Sequence, residues 1–312
     1  GIYTMMKRWK KGAAAGLSAV LALGAFCTPA MADAEMAVLD TPYVSLGADL
    51  NASERATVLS LLGVTEEQLQ NYTVVTVTNA EEHEYLDSYM DSSVIGTRAL
   101  SSALVTGREA GNGIQVTTKN ISYCTVGMYQ NALATAGVEN VDVVVAGPTQ
   151  ISGTAALIGV MKAYSEMSGE PLQADSVEAA TEELVATSQI GEELGNTEQA
   201  ENLIAAVKEA IVADSVTDPD KIDEVIDNAA GELNITLTDE QKQMIRELME
   251  KIANLDLNVE DLKAQVQGIY DKLDEMGIHI SAEQVQGFFA QIGQWFSDIW
   301  NQITGWFSSI FG

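Results

Sequence analysis

Cys124 and Ser152 are the two side chains best placed to act as nucleophiles. Cys124 follows a strand-like stretch and opens a helical one, a position that lowers a thiol pKa. A working cysteine needs a histidine base and a third group to orient it. Only His83 and His279 are offered, and neither sits in a recognisable signature. A small buried hydrophobe is the commoner use of a lone cysteine. Ser152 lies in Gly147-Pro-Thr-Gln-Ile-Ser-Gly-Thr-Ala-Ala-Leu157, a strand-to-helix turn whose N–H groups could hold an anion. It lacks the flanking glycines of a nucleophile elbow, so plain helix capping by Ser152 or Thr154 is the simpler use. Glu82, His83, Glu84 and Asp87 carry metal-capable groups but no second histidine at i+4, which predicts a solvated helix face. The glycine-rich Gly107–Gly113 segment lacks the lysine and Ser/Thr of a phosphate-binding loop and joins two strands. No residue is therefore assigned to catalysis, and none to a metal or a cofactor.

The elements that must position these residues begin at an N-terminal sorting signal. Lys7, Arg8, Lys10 and Lys11 precede an apolar run from Ala13 to Phe26, and Ala30 and Ala32 stand at the −3 and −1 places before Asp33. This predicts a secretory signal peptide cleaved after Ala32, with Gly1–Thr4 upstream of the true start. Cys27 is a poor lipid anchor because bulky Phe26 precedes it. Cleavage leaves Cys124 as the one cysteine, so an exported chain must hold together by packing rather than disulfides. The net charge is −29 and becomes −33 once the four leader cations are removed. Such a polyanion is repelled by phosphate backbones, which excludes nucleic acid as a partner.

Residues 33–50 show little pattern and read as an extended segment. Asn51-Ala-Ser-Glu54 and Thr65-Glu-Glu-Gln68 are capping boxes, and Gly63 ends the first helix. Strand composition then marks 72–78, 100–106, 114–120 and 141–147, with helical spacing at 79–90, capped by Asn79, and at 125–137. Strands 100–106 and 114–120 read as a hairpin. The order βαββαβ over residues 51–168 predicts an α+β fold of the ferredoxin-like split βαβ type, an antiparallel sheet with two helices on one face.

Several of these stretches carry a family resemblance. Leu46-Gly-Ala-Asp-Leu50, Thr78-Asn-Ala-Glu-Glu82, Ile95-Gly-Thr-Arg-Ala-Leu-Ser-Ser102, Gly113–Ile121, Tyr129–Gly137, Val145-Ala-Gly-Pro148 and Ile151-Ser-Gly-Thr-Ala-Ala156 resemble the YpuA-like family. The resemblance spans about Leu46 to Met167. It implies a secreted Gram-positive protein of unknown function and transfers no catalytic residue.

Beyond Gly169-Glu-Pro171 the pattern is all helical through 287, with breaks at Gly191–Asn196, Asp218-Pro219 and Gly231. From Ile245 apolar residues recur at heptad spacing to Met276, capped by Thr238-Asp-Glu-Gln241. Asn254-Leu-Asp-Leu-Asn258 interrupts the stripe and predicts two antiparallel helices of a small bundle rather than one coiled coil.

The C-terminal segment 288–312 reads as an amphipathic aromatic helix. Phe288, Phe289, Ile292, Trp295, Phe296, Ile299, Trp300, Ile303, Trp306, Phe307, Ile310 and Phe311 make its apolar face. Each large side chain loses about 1.5–3 kcal/mol if left in water, so something must cover that face. A membrane surface, a protein partner or second copy, and the chain's own bundle are the three covers. The polar residues forbid a span, and the acidity denies any help from anionic lipid. The expectation is a secreted, noncatalytic binding or interaction protein, peripheral to the outer face of the cytoplasmic membrane through this tail. The competing class is an extracytoplasmic enzyme using the Cys124 or Ser152 region. The sequence names neither ligand nor oligomeric state.

Overall fold

The computed structural model describes residues 41–275. Residues 1–40, which include the expected signal peptide, and the aromatic segment 288–311 lie outside them. The chain divides into two compact units after Ser188.

The first unit is a five-stranded mixed sheet in the order β2-β1-β3-β5-β4. Its strands are β1 (Tyr43–Gly47), β2 (Thr73–Val77), β3 (Ser102–Gly107), β4 (Ile114–Ile121) and β5 (Val141–Ile151). This corrects the ferredoxin-like expectation at three points. The segment read as extended, and not counted among the strands, supplies β1, which pairs parallel with β2 and antiparallel with β3. The expected hairpin does not form, because β5 lies between β3 and β4, antiparallel to the first and parallel to the second. And β2 and β5, neighbours in a ferredoxin-like sheet, stand apart with β1 and β3 between them.

Burial accounts for the order. Val141, Val143, Val145 and Ala146 of β5 are buried, and a run this apolar belongs inside a sheet. In β4 half-buried Ile114, Val116 and Thr118 alternate with exposed Gln115, Thr117 and Lys119, the pattern of an edge strand. The Gly107–Gly113 loop is tied across to β5 rather than folded onto its own strands. Arg108 and Asn112 both bond to the Asp142 carboxylate, at 2.6 and 3.1 Å.

Helices cover both faces. α1 (Ala52–Leu62) starts at the Asn51/Glu54 capping box and ends at Gly63 in the left-handed conformation. Its Val58, Leu59 and Leu62 pack with Val44, Leu46 and Ala146. The short α2 (Glu66–Leu69) follows with the Thr65/Gln68 box. The opposite face holds the main core, built with α3 (Asn79–Leu86), α4 (Ser92–Ile95), α5 (Val126–Ala136) and α6 (Thr154–Ser168). Gly159 lets α6 settle on β1, where a Cβ would come within 1.8 Å of the Ser45 hydroxyl. Thr78, not Asn79, caps α3: its hydroxyl accepts from Glu81 N–H, and its own N–H donates to the Glu81 carboxylate.

α7 (Ala174–Leu194) crosses the division between units, and α8 (Thr197–Ala213), α9 (Pro219–Glu232), α10 (Asp239–Ile252) and α11 (Val259–Glu275) form the second unit. Leu203, Ile204, Val207 and Ile211 of α8 are fully buried against the other three. The heptad stripe is two helices, as the Asn254–Asn258 interruption predicted. Asn258 caps the second by accepting from Glu260 and Asp261 N–H. The break expected at Gly231 comes one residue later, where α9 ends at Glu232. Among the described residues no helix is long and apolar enough to cross a membrane.

Candidate functional site

Three stretches that the sequence marks separately meet at one cleft of about 270 Å³. α3 supplies Glu82, the end of α4 and its link to β3 supply Val94 to Arg98 with Leu100 and Ser101, and the end of β5 with the turn into α6 supplies Ile151, Ser152 and Gly153. Two backbone features set this geometry. Gly153 takes φ +93° at the start of α6, and a Cβ there would lie 2.4 Å from the Tyr129 hydroxyl. Ser101 accepts from Ala156 N–H at 2.8 Å, so the loop side chain caps α6 and locks the two walls together.

The cleft wall contains a buried carboxyl. Glu82 is 1% exposed, which corrects the expectation of a solvated face. Its Oε1 accepts from the Thr154 hydroxyl at 2.7 Å and its Oε2 from the Asn79 amide at 3.1 Å. Asn79 also donates to the Gly96 carbonyl, so it is engaged as a brace and leaves capping to Thr78. Loss of hydration raises the Glu82 pKa above the ordinary carboxyl value, and the two hydrogen bonds offset only part of that rise. Among the described residues no lysine or arginine pairs with it. Arg98, in the same lining, is spent on Glu54 at 2.6 and 3.0 Å and on the Asp49 carbonyl. The signal for this burial was in the sequence, since Glu82 stands three and four residues before the core residues Tyr85 and Leu86.

Ser152 borders the cleft with its Oγ 3.3 Å from the Thr154 Oγ1, which makes a chain of hydroxyls leading to Glu82. His83 bonds through Nδ1 to Asp87 at 2.7 Å and through Nε2 to the Gly96 carbonyl at 2.8 Å. Those two acceptors, Asp87 first, raise its pKa. Glu84 and Asp87 are exposed, and no group of three metal-capable side chains occurs among the described residues. Cys124 is buried, and loss of water pushes its pKa up to about 12. The residue precedes the Thr125 cap rather than opening α5, and its hydrogen bond with Tyr129 offsets only part of the effect of burial. His279 and the twelve aromatic and aliphatic residues from Phe288 to Phe311 lie outside the described residues. A second concavity, of about 570 Å³ and lined by β3, β4 and β5 residues, has its charges, Arg108 and Asp142, already joined to each other.

The motifs that build the cleft are those the sequence resemblance rests on, and whole-chain comparison agrees. A family model described as "Protein of unknown function (DUF1002)" matches residues 46–269. The chain belongs to the DUF1002 family. It is similar to "Uncharacterized protein YpuA" of Bacillus subtilis (strain 168), 41% identical over 280 residues, which cover 89% of this chain and 93% of that one. No solved structure matches. The DUF1002 match runs from β1 through most of α11 and so takes in both units.

Proposed function

We propose that this protein is an exported, noncatalytic binding protein, whose α/β unit takes a small polar ligand in the cleft beside Glu82 and whose C-terminal aromatic segment contacts the envelope. One observation carries the first part: a carboxyl is kept out of water, braced from two sides and, among the described residues, left without a lysine or arginine partner, in the wall of an open cleft. A stability role alone is better met by an apolar side chain at such a position, because burying an unpaired acid is costly. Placed polar groups among apolar walls, here Ile95, Leu100 and Ile151, are the usual composition of a small-molecule site. The test is protein-detected NMR of the full chain against a set of small polar fragments. Shifts gathered at the amides of Gly96, Ser101 and Gly153 support the reading, and shifts confined to other surfaces sink it.

The Ser152–Thr154–Glu82 chain of hydroxyls favours a second reading, an enzyme with Ser152 as nucleophile. A fluorophosphonate probe separates the two. Labelling of the wild type that disappears in Ser152→Ala would establish the enzyme. The binding reading expects no labelling of either.

A further inference from the structure

We propose that the cleft recognises a primary ammonium group, held by the carboxylate of Glu82. The inference rests on the reading of the cleft as a ligand site and adds the class of ligand. Each Glu82 oxygen accepts one hydrogen bond from the protein, Oε1 from Thr154 and Oε2 from Asn79. A carboxylate oxygen can accept two, so one acceptor direction remains on each, and an ionised carboxylate has nothing to donate. Among the described residues no lysine or arginine supplies the matching charge, and the neighbouring His83 favours the Glu82 charge less than either hydrogen bond does. Arg98 is held by Glu54, and His83 is held by Asp87 and the Gly96 carbonyl. Asp49, fixed by its bond to Ala99 N–H, adds a negative potential at Glu82 that works against the somewhat larger effect of His83. The positive end of α6 supplies only about half a charge.

Other ligand classes fit less well. An anion would meet the potential of Glu82 and Asp49, while the N–H of Ala156, a donor it could use, is already bonded to Ser101. A metal ion needs several ligands where the cleft brings a single carboxylate. A neutral amide could bond but would leave the charge unbalanced. An ammonium satisfies the charge, offers N–H donors to Glu82 and to the Ser152 hydroxyl, and carries an alkyl stem that Ile95, Leu100 and Ile151 can cover.

The test titrates the full chain with n-butylammonium chloride, 1-butanol and sodium butyrate, following the amide resonances of Gly96, Ser101 and Gly153. Butylammonium is expected to bind more tightly than the other two, and Glu82→Gln to weaken it by about tenfold or more. If 1-butanol or butyrate binds as well as butylammonium, or if a folded Glu82→Gln keeps wild-type affinity, the ammonium inference is wrong and the cleft reading stands. If none of the three shifts those resonances, both fall. Should circular dichroism show Glu82→Gln unfolded, the carboxyl carbon resonance of wild-type Glu82 decides. Saturating butylammonium must lower the pH at which that resonance titrates, and an unchanged titration overturns the inference.

Discussion

Glu82 can remain in the wall of the first unit because Thr154 and Asn79 bond to it within the same fold. Its pKa is raised in the folded state, so its contribution to stability is full below the ordinary carboxyl pKa of about 4.3 and is lost as pH rises through the folded value. Glu82→Gln should flatten that part of the stability–pH curve, which urea melts at pH 4 to 8 would show. Gly153 is the most constrained neighbour. Gly153→Ala puts a methyl group against the Tyr129 hydroxyl and Ile121 at a φ that alanine disfavours, and should cost about 1–3 kcal/mol. Chemical denaturation measures it, and a loss under about 0.5 kcal/mol would mean the turn relaxes freely. Cys124, buried with its pKa pushed up to about 12, should resist iodoacetamide in the native protein and react once unfolded. At this scale the helix register around Tyr85 held the clue to Glu82. Whether Thr78 or Asn79 capped α3 was not legible, because both types cap well, and only the fold shows that the Asn79 amide is needed at Gly96.

Among the elements, helices declared themselves through their ends: the boxes at Asn51, Thr65 and Thr238 are all formed. Strand partners did not. β1 has five residues, too few to show a period, yet it occupies an interior place in the sheet. The glycine- and asparagine-rich loop after β3 suits a hairpin and a crossover alike, and the apolarity of β5 decides between them by claiming the inner position. In the second unit α8 presents Glu209 toward α11. It is 2% exposed with an unbonded Oε2, and Lys263, Asp214 and Glu260 are the charged groups acting on it. Burial raises its pKa to about 7, with Asp214 and Glu260 adding to the rise and Lys263 opposing it. The unfolded value is lower, so the stabilisation is complete below about pH 4.3 and disappears as pH climbs through 7. The packing of α11 should therefore tighten on acidification, by about 2 kcal/mol after allowance for solvent screening. Hydrogen exchange of α8 and α11 amides at pH 5.5 and 8, corrected for intrinsic rates, checks this, and Glu209→Gln should remove the difference.

For the whole molecule, charge and tail pull in different directions. The chain carries −29 overall, which disfavours anionic surfaces, while residues 288–311 concentrate aromatic groups that favour an interface. The full chain should sediment with neutral phosphatidylcholine vesicles and gain nothing from added phosphatidylglycerol. A deletion ending at Gly287 should stay in the supernatant, and equal sedimentation of the two would remove the lipid from the proposal.

The second unit is reached along α7, a helix that belongs to both sides of the division at Ser188. Recombination or protease trimming at that seam would sever a run of helical hydrogen bonds and leave raw ends on each fragment. Any ancestral exchange of these halves, or any laboratory fusion of one of them, is therefore better joined in the non-helical stretches at 169–173 or 195–196, which flank α7 on either side of the division.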